Sequence, residues 1–90
     1  VAAGSSAVVF GAGGVGLNAI QGCAICGAST IVAVDTSDEK LELARSFGAT
    51  HVLNATREEN VVKSLRRMTG GGADYAFECV RRGDVLAQAY

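Results

Sequence analysis

The sequence predicts an α/β fold, a doubly wound parallel sheet with helices on both faces. Short apolar runs alternate with amphipathic stretches along all 90 residues. The first run, Val8-Val9-Phe10, flows into Gly11-x-Gly13-x-x-Gly16 and then into a helix-like segment. The second, Thr30 to Val34, ends on an acid, Asp35, nineteen residues after Gly16. Strict β–α alternation joins parallel strands through helical crossovers, and their right-handedness puts helices on both faces. The expected strand order is 3-2-1-4, with a crevice where the order reverses, between strands one and four.

Each element has a local reason. Strands are expected at roughly 7–10, 30–34, 51–54 and 74–79, and helices at roughly 15–26, 37–47, 58–68 and 84–90. Gly27 and Gly48 sit where helices stop. Thr36-x-x-Glu39 and Thr56-x-x-Glu59 have capping-box spacing, which starts the second and third helices there. Leu41, Ala44 and Phe47 recur at helical spacing with Leu43 beside them. Val61, Leu65 and Met68 form one face of the third helix, leaving Lys63, Arg66 and Arg67 to solvent. Gly70-Gly71-Gly72 breaks the chain before the fourth strand. A full sheet of this type carries two further strands, so the fold is expected to be partial. Its fourth strand, Asp74 to Cys79, would then form an apolar edge, and its last helix would be cut at Tyr90.

Composition narrows the classes. A hydrophobic content of 49% with 19% charged residues fits one small ordered domain spanning 1–90. A net charge of −1 and the lack of a basic run give no reason to expect nucleic acid. No apolar stretch approaches the length of a membrane span, and no signal-peptide pattern opens the chain. The first residue is valine, so a piece of a longer polypeptide is expected. Three cysteines, an odd number, suit reduced thiols in the cytoplasm. Cys23-x-x-Cys26 lacks a second ligand pair, and both thiols are read as helix–sheet packing. Phe47, Met68, Tyr75 and Phe77 read as core, and His51 as a strand-end residue without a catalytic task.

The glycines and Asp35 carry the chemistry. Gly11 permits a tight turn off the strand, Gly13 lets a pyrophosphate approach the backbone, and Gly16 lets helix and sheet close up. The unpaired amides of the first helical turn then face the phosphates. Asp35, at the end of the second strand, accepts hydrogen bonds from the hydroxyls of an unmodified ribose. It also suits the positive end of the helix that follows, and the two roles are compatible. This is the constellation of a Rossmann-type dinucleotide site.

Five segments together carry a resemblance: Phe10-Gly-Ala-Gly-Gly-Val-Gly16, Ile31-Val-Ala-Val-Asp35, Lys40-Leu-Glu-Leu-Ala44, Phe47-Gly-Ala-Thr-His-Val-Leu-Asn54 and Gly71-Gly-Ala-Asp-Tyr-Ala-Phe-Glu-Cys79. In order and along nearly the whole chain, they resemble the coenzyme domain of zinc-dependent medium-chain alcohol dehydrogenases. The resemblance implies NAD as cofactor, with Gly11, Gly13, Gly14 and Gly16 in the pyrophosphate loop and Val15 at the nicotinamide end. Asp35 matches the acid that selects NAD over NADP. Lys40 matches a lysine reaching the same ribose, or is an exposed helix charge. Val80 and Arg82 match positions flanking the adenine, although Arg82 also reads as a solvated loop residue. The family's zinc ligands belong to a separate catalytic domain, so no metal or catalytic residue is expected here. The resemblance also implies a homo-oligomer as the full-length protein. A non-catalytic nucleotide-binding or assembly module is the alternative, since fold does not fix function.

One departure stands out. After Glu78-Cys79-Val80 the family pattern has glycine where this chain has Arg81, a long cation open to four readings: it strains the turn, covers the adenine slot, stacks on the ring, or attracts a 2′-phosphate and so favours NADP. If it covers the slot, Arg81→Gly raises NAD affinity in calorimetry. Weaker binding would show that the arginine contributes to the site.

Overall fold

A computed structural model describes residues 2–79. The predicted helix at 84–90 and the candidate residues Val80, Arg81 and Arg82 lie outside that range. Among the described residues four strands and three helices alternate: β1 (Ser6–Phe10), α1 (Gly14–Ile25), β2 (Thr30–Asp35), α2 (Asp38–Phe47), β3 (His51–Asn54), α3 (Val61–Met68) and β4 (Tyr75–Glu78). The sheet is parallel throughout, in the expected order β3-β2-β1-β4.

Burial on both faces explains the continuous apolar runs of the central strands. Ala7, Val9, Ile31 and Ala33 point to one side, where Leu17, Ile20 and Cys23 of α1 and Leu41 and Ala44 of α2 cover them. Val8, Phe10, Val32 and Val34 point to the other, against Leu53 and against Val61 and Leu65 of α3. The two cores thus separate by strand parity. Truncating Ile20, which is fully buried, would cost about 2–5 kcal/mol on the scale of such core deletions.

Helix ends follow backbone chemistry. Past α1, the Gly27 amide bonds the Ala24 carbonyl and the Ala28 amide bonds that of Cys23, at 3.1 and 3.0 Å. Gly48 and Ala49 close α2 in the same way on Arg45 and Ala44, which is the paired arrangement that a left-handed glycine permits. The N-termini correct the capping-box expectation. Ser37, not Thr36, caps α2, its side chain accepting from the Lys40 amide at 3.4 Å. Asn60 caps α3 by accepting from the Lys63 amide at 2.9 Å, so the helix begins at Val61 and not near 58. Thr56 is unavailable as a cap because its amide and hydroxyl both donate to Asn54 Oδ1.

Three side chains depart from expectation. Tyr75 lies 38% exposed on β4, which among the described residues is an edge strand. Leu43 faces solvent on α2. Cys26, at the C-cap of α1, is exposed, whereas Cys23 is buried in the core as expected. His51 is exposed at the start of β3, with Nδ1 2.9 Å from the Thr50 hydroxyl.

Burial pushes the Cys23 thiol above its ordinary range, and the neighbouring Cys26 adds to the effect. Burial also raises Cys79. Since the thiolate is the nucleophile, iodoacetamide should label Cys26 first, Cys79 more slowly, and Cys23 only under unfolding conditions. Mass spectrometry of timed aliquots reads that order, and early labelling of Cys23 would contradict the packing.

Candidate functional site

The carboxyl ends of all four strands lie along one edge of the sheet, because every pairing is parallel. The chain leaves β1 there through Gly11, Ala12 and Gly13 before α1 begins at Gly14. Gly11 has φ +94°, a conformation that residues with a Cβ rarely adopt. Its amide bonds the Val34 carbonyl at 2.7 Å, so the turn is anchored to β2 as it begins.

Gly16 is needed for a different reason. A Cβ at this position would lie 1.7 Å from the Gly11 carbonyl oxygen and 3.6 Å from Cys79 Cβ. The first turn of α1 therefore sits directly on the turn that precedes it and beside the end of β4. Gly13 and Gly14 are open instead, and a Cβ on either would meet nothing within 4 Å. Val15 next to them is 71% exposed. This is the pattern of a loop with one glycine packed inward and two facing outward.

The start of α1 is electrostatically bare. Gly13 caps it without a side-chain hydrogen bond, and its first turn carries no acid. The α2 N-terminus differs, with Ser37 as cap and Asp38 and Glu39 in the first turn. The amides of Gly14, Val15 and Gly16 have no acceptor among the described residues; the first intrahelical bond runs from the Leu17 amide to the Gly13 carbonyl at 2.8 Å. Unpaired amides at the positive end of a helix dipole suit an anion.

Asp35 closes the site on the β2 side. Its Oδ2 accepts from the Ala12 amide at 2.8 Å, and its Oδ1 from the amides of Thr36 and Ser37 at 2.6 and 3.0 Å. One carboxylate thus ties the glycine turn to the β2–α2 turn. A carboxylate offers about four acceptor positions, so roughly one remains, on Oδ2. The helix-N-terminal role anticipated for Asp35 is present, and the bond to Ala12 is an additional, long-range role. Lys40 lies exposed on the first turn of α2, with no acidic partner for its ammonium among the described residues.

Asn54 and Asp38, which sequence reasoning passed over, also stand at this edge. Asn54 pairs in register with Asp35, and its Nδ2 donates to Asp38 Oδ1 at 2.8 Å. Arg57 completes an exposed ion pair with Asp38 at 2.5 Å. The Asn54 amide, then the Arg57 guanidinium, hold the Asp38 carboxyl below the usual carboxylate range. Stability from this contact is present above the ordinary carboxylate pKa and is lost as acid titrates the folded carboxyl. Capping-type residues at 54 and 38 were visible in the sequence, but their meeting depends on strand register. Among the described residues no three His, Cys, Asp or Glu side chains group as metal ligands, and no helix is long and apolar enough to cross a membrane.

Fold and edge together define a parallel α/β domain of the Rossmann class. The family model for zinc-binding dehydrogenases matches residues 14–90, and the chain belongs to that family. It is 44% identical to an S-(hydroxymethyl)glutathione dehydrogenase of Paracoccus denitrificans, with 96% of this chain and 24% of that protein aligned. It is 45% identical to the class-3 alcohol dehydrogenase of Myxine glutinosa over 96% of this chain and 23% of that one. Among solved structures, an alcohol dehydrogenase of Thermus sp. ATN1 superposes with TM-score 0.88 at 41% identity, covering 99% of this chain and 26% of that one. The chain therefore spans about a quarter of the length of these relatives.

The contrast between inward and outward glycines yields a stability test. Gly16→Ala should destabilise by at least roughly 1–3 kcal/mol, because backbone must move to admit the methyl group. Gly13→Ala, at an ordinary extended conformation with open space, should stay within about 0.5 kcal/mol of the parent. Urea unfolding measures both. Equal losses would contradict the packing described.

Proposed function

We propose that this chain holds NAD for a zinc-dependent alcohol dehydrogenase, with the hydride chemistry completed by parts of the enzyme beyond these 90 residues. One observation carries the reading: the bare amides of α1 and the Asp35 carboxylate flank a single turn, joined through the Ala12 amide. An anion-accepting group and a hydroxyl-accepting group side by side suit a diphosphate and its adjoining ribose.

The residues divide the work along the cofactor. Gly11 and Gly16 shape the turn, while Gly13 and Gly14 leave room for pyrophosphate oxygens against the amides. Val15 offers exposed apolar surface on the nicotinamide side. Asp35 takes a ribose hydroxyl at its remaining acceptor position and repels a 2′-phosphate, which favours NAD over NADP. Lys40, in the first turn of α2, reaches toward the same ribose. Val80 and Arg82 remain proposals for the adenine pocket from the family resemblance alone. When bound, nicotinamide supplies hydride-transfer chemistry, and the protein supplies position and field. The metal that polarises the alcohol oxygen in such enzymes would be held by residues other than those described here.

Partners and location follow from the same reading: nicotinamide dinucleotide as ligand, self-association in the complete enzyme, and the cytoplasm as compartment. Three free thiols support a reducing environment.

Asp35→Ala should weaken NADH binding by roughly 1–3 kcal/mol, the range for hydrogen bonds to a charged group, and should narrow the gap to NADPH. Gly13→Ala should weaken both cofactors while leaving the unfolding transition in place. Calorimetric titration of the two variants checks these outcomes. Unchanged affinity in Asp35→Ala for both cofactors would sink the ribose assignment.

A further inference from the structure

We propose that Asn54 is a positioning residue for the ribose-binding acid, clamping the β2–α2 turn whose amides orient the Asp35 carboxylate. The inference rests on the dinucleotide reading above and names a residue on which that site depends.

The geometry runs outward from Asp35 in short steps. Among the described residues its Oδ1 accepts from the amides of Thr36 and Ser37 and its Oδ2 from that of Ala12, so two of the three bonds that orient it come from the β2–α2 turn. Asn54 stands opposite Asp35 in the β2–β3 register and grips the turn on both sides of Ser37. Its Nδ2 donates to the Thr36 carbonyl at 3.4 Å and to Asp38 Oδ1 at 2.8 Å. The carboxamide faces this way for a reason. Its Oδ1 is taken by the Thr56 amide and hydroxyl, at 2.9 and 2.5 Å, which leaves the NH2 group turned toward the β2–α2 turn.

Backbone and charge reinforce the clamp. The Ala55 amide bonds the Asp35 carbonyl at 3.0 Å, and the Arg57 amide bonds the Asn54 carbonyl at 3.1 Å. The Arg57 guanidinium then closes on Asp38 through Nη1 and Nη2, at 3.2 and 2.5 Å. An ion pair this exposed stabilises the fold little, but it holds the start of α2 where Thr36, Ser37 and Lys40 need it. Asn54 touches no ligand in this scheme. It acts through the turn, on Asp35.

A double-mutant cycle separates that role from simple support of the fold. NADH is titrated by calorimetry into the chain carrying Asn54→Ala, Asp35→Ala, or both, with thermal unfolding of each recorded. Asn54→Ala should weaken NADH roughly three- to tenfold in the native background, and less than about twofold once Asp35 is alanine. Asp38→Ala, at an exposed position, should show the same dependence on Asp35. No loss in the native background, or equal losses in both backgrounds for both variants, would overturn the inference. NADH binding that needs Asp35 but ignores Asn54 defeats this inference alone. A cooperatively folded native chain that binds no NADH defeats the dinucleotide reading and this inference together.

Discussion

The approach of α1 to the end of β1 governs the rest of the structure. A helix can stand on the turn that precedes it only if its third residue has no side chain, and Gly16 meets that condition against the Gly11 carbonyl. The contact decides where the first helical amides point, how near β4 comes, and how the turn meets Asp35. A bulkier residue at this one position would lift the helix off the sheet and separate the two halves of the site. The energetic currency is steric exclusion, which is steep, and not hydrogen bonding, which is shallow.

Asp35 then converts that local geometry into a connected site. Three backbone donors from two separate turns converge on its carboxylate, so the acid belongs to the architecture as well as to the proposed site. Replacing it would untie Ala12 from the β2 end, besides removing the ligand contact proposed for it. The apolar strands beneath supply rigidity: Val8, Val9 and Val32 are fully buried, leaving little room for the edge above them to shift.

Sequence made most of this legible, for identifiable reasons. Apolar runs buried on two faces, such as Ile31 to Val34, leave no other reading than a central parallel strand. The three glycines and the acid announced their turn because their spacing is dictated by backbone geometry. Failures occurred where local signals competed. Thr56 and Asn60 are both good caps, and the choice fell to Asn60 because Asn54 had already engaged Thr56. Tyr75 reads as core by residue type, yet the edge position already expected of the fourth strand leaves it exposed. The Asn54–Asp38 contact was invisible because it joins residues sixteen positions apart through strand register.

The strand order has a further consequence, for synthesis. Among the described residues β1 is the second strand from one edge, and its neighbours β2 and β4 lie later in the chain, so the first strand made is the last to be enclosed. Ala7 must wait for Tyr75, and Phe10 for Glu78. Parallel sheets of such high contact order close slowly. Throughout that interval a nascent chain presents Val8 and Val9 beside an open ladder of amides and carbonyls. Such an unpaired apolar strand edge is open to aggregation until β4 pairs with it.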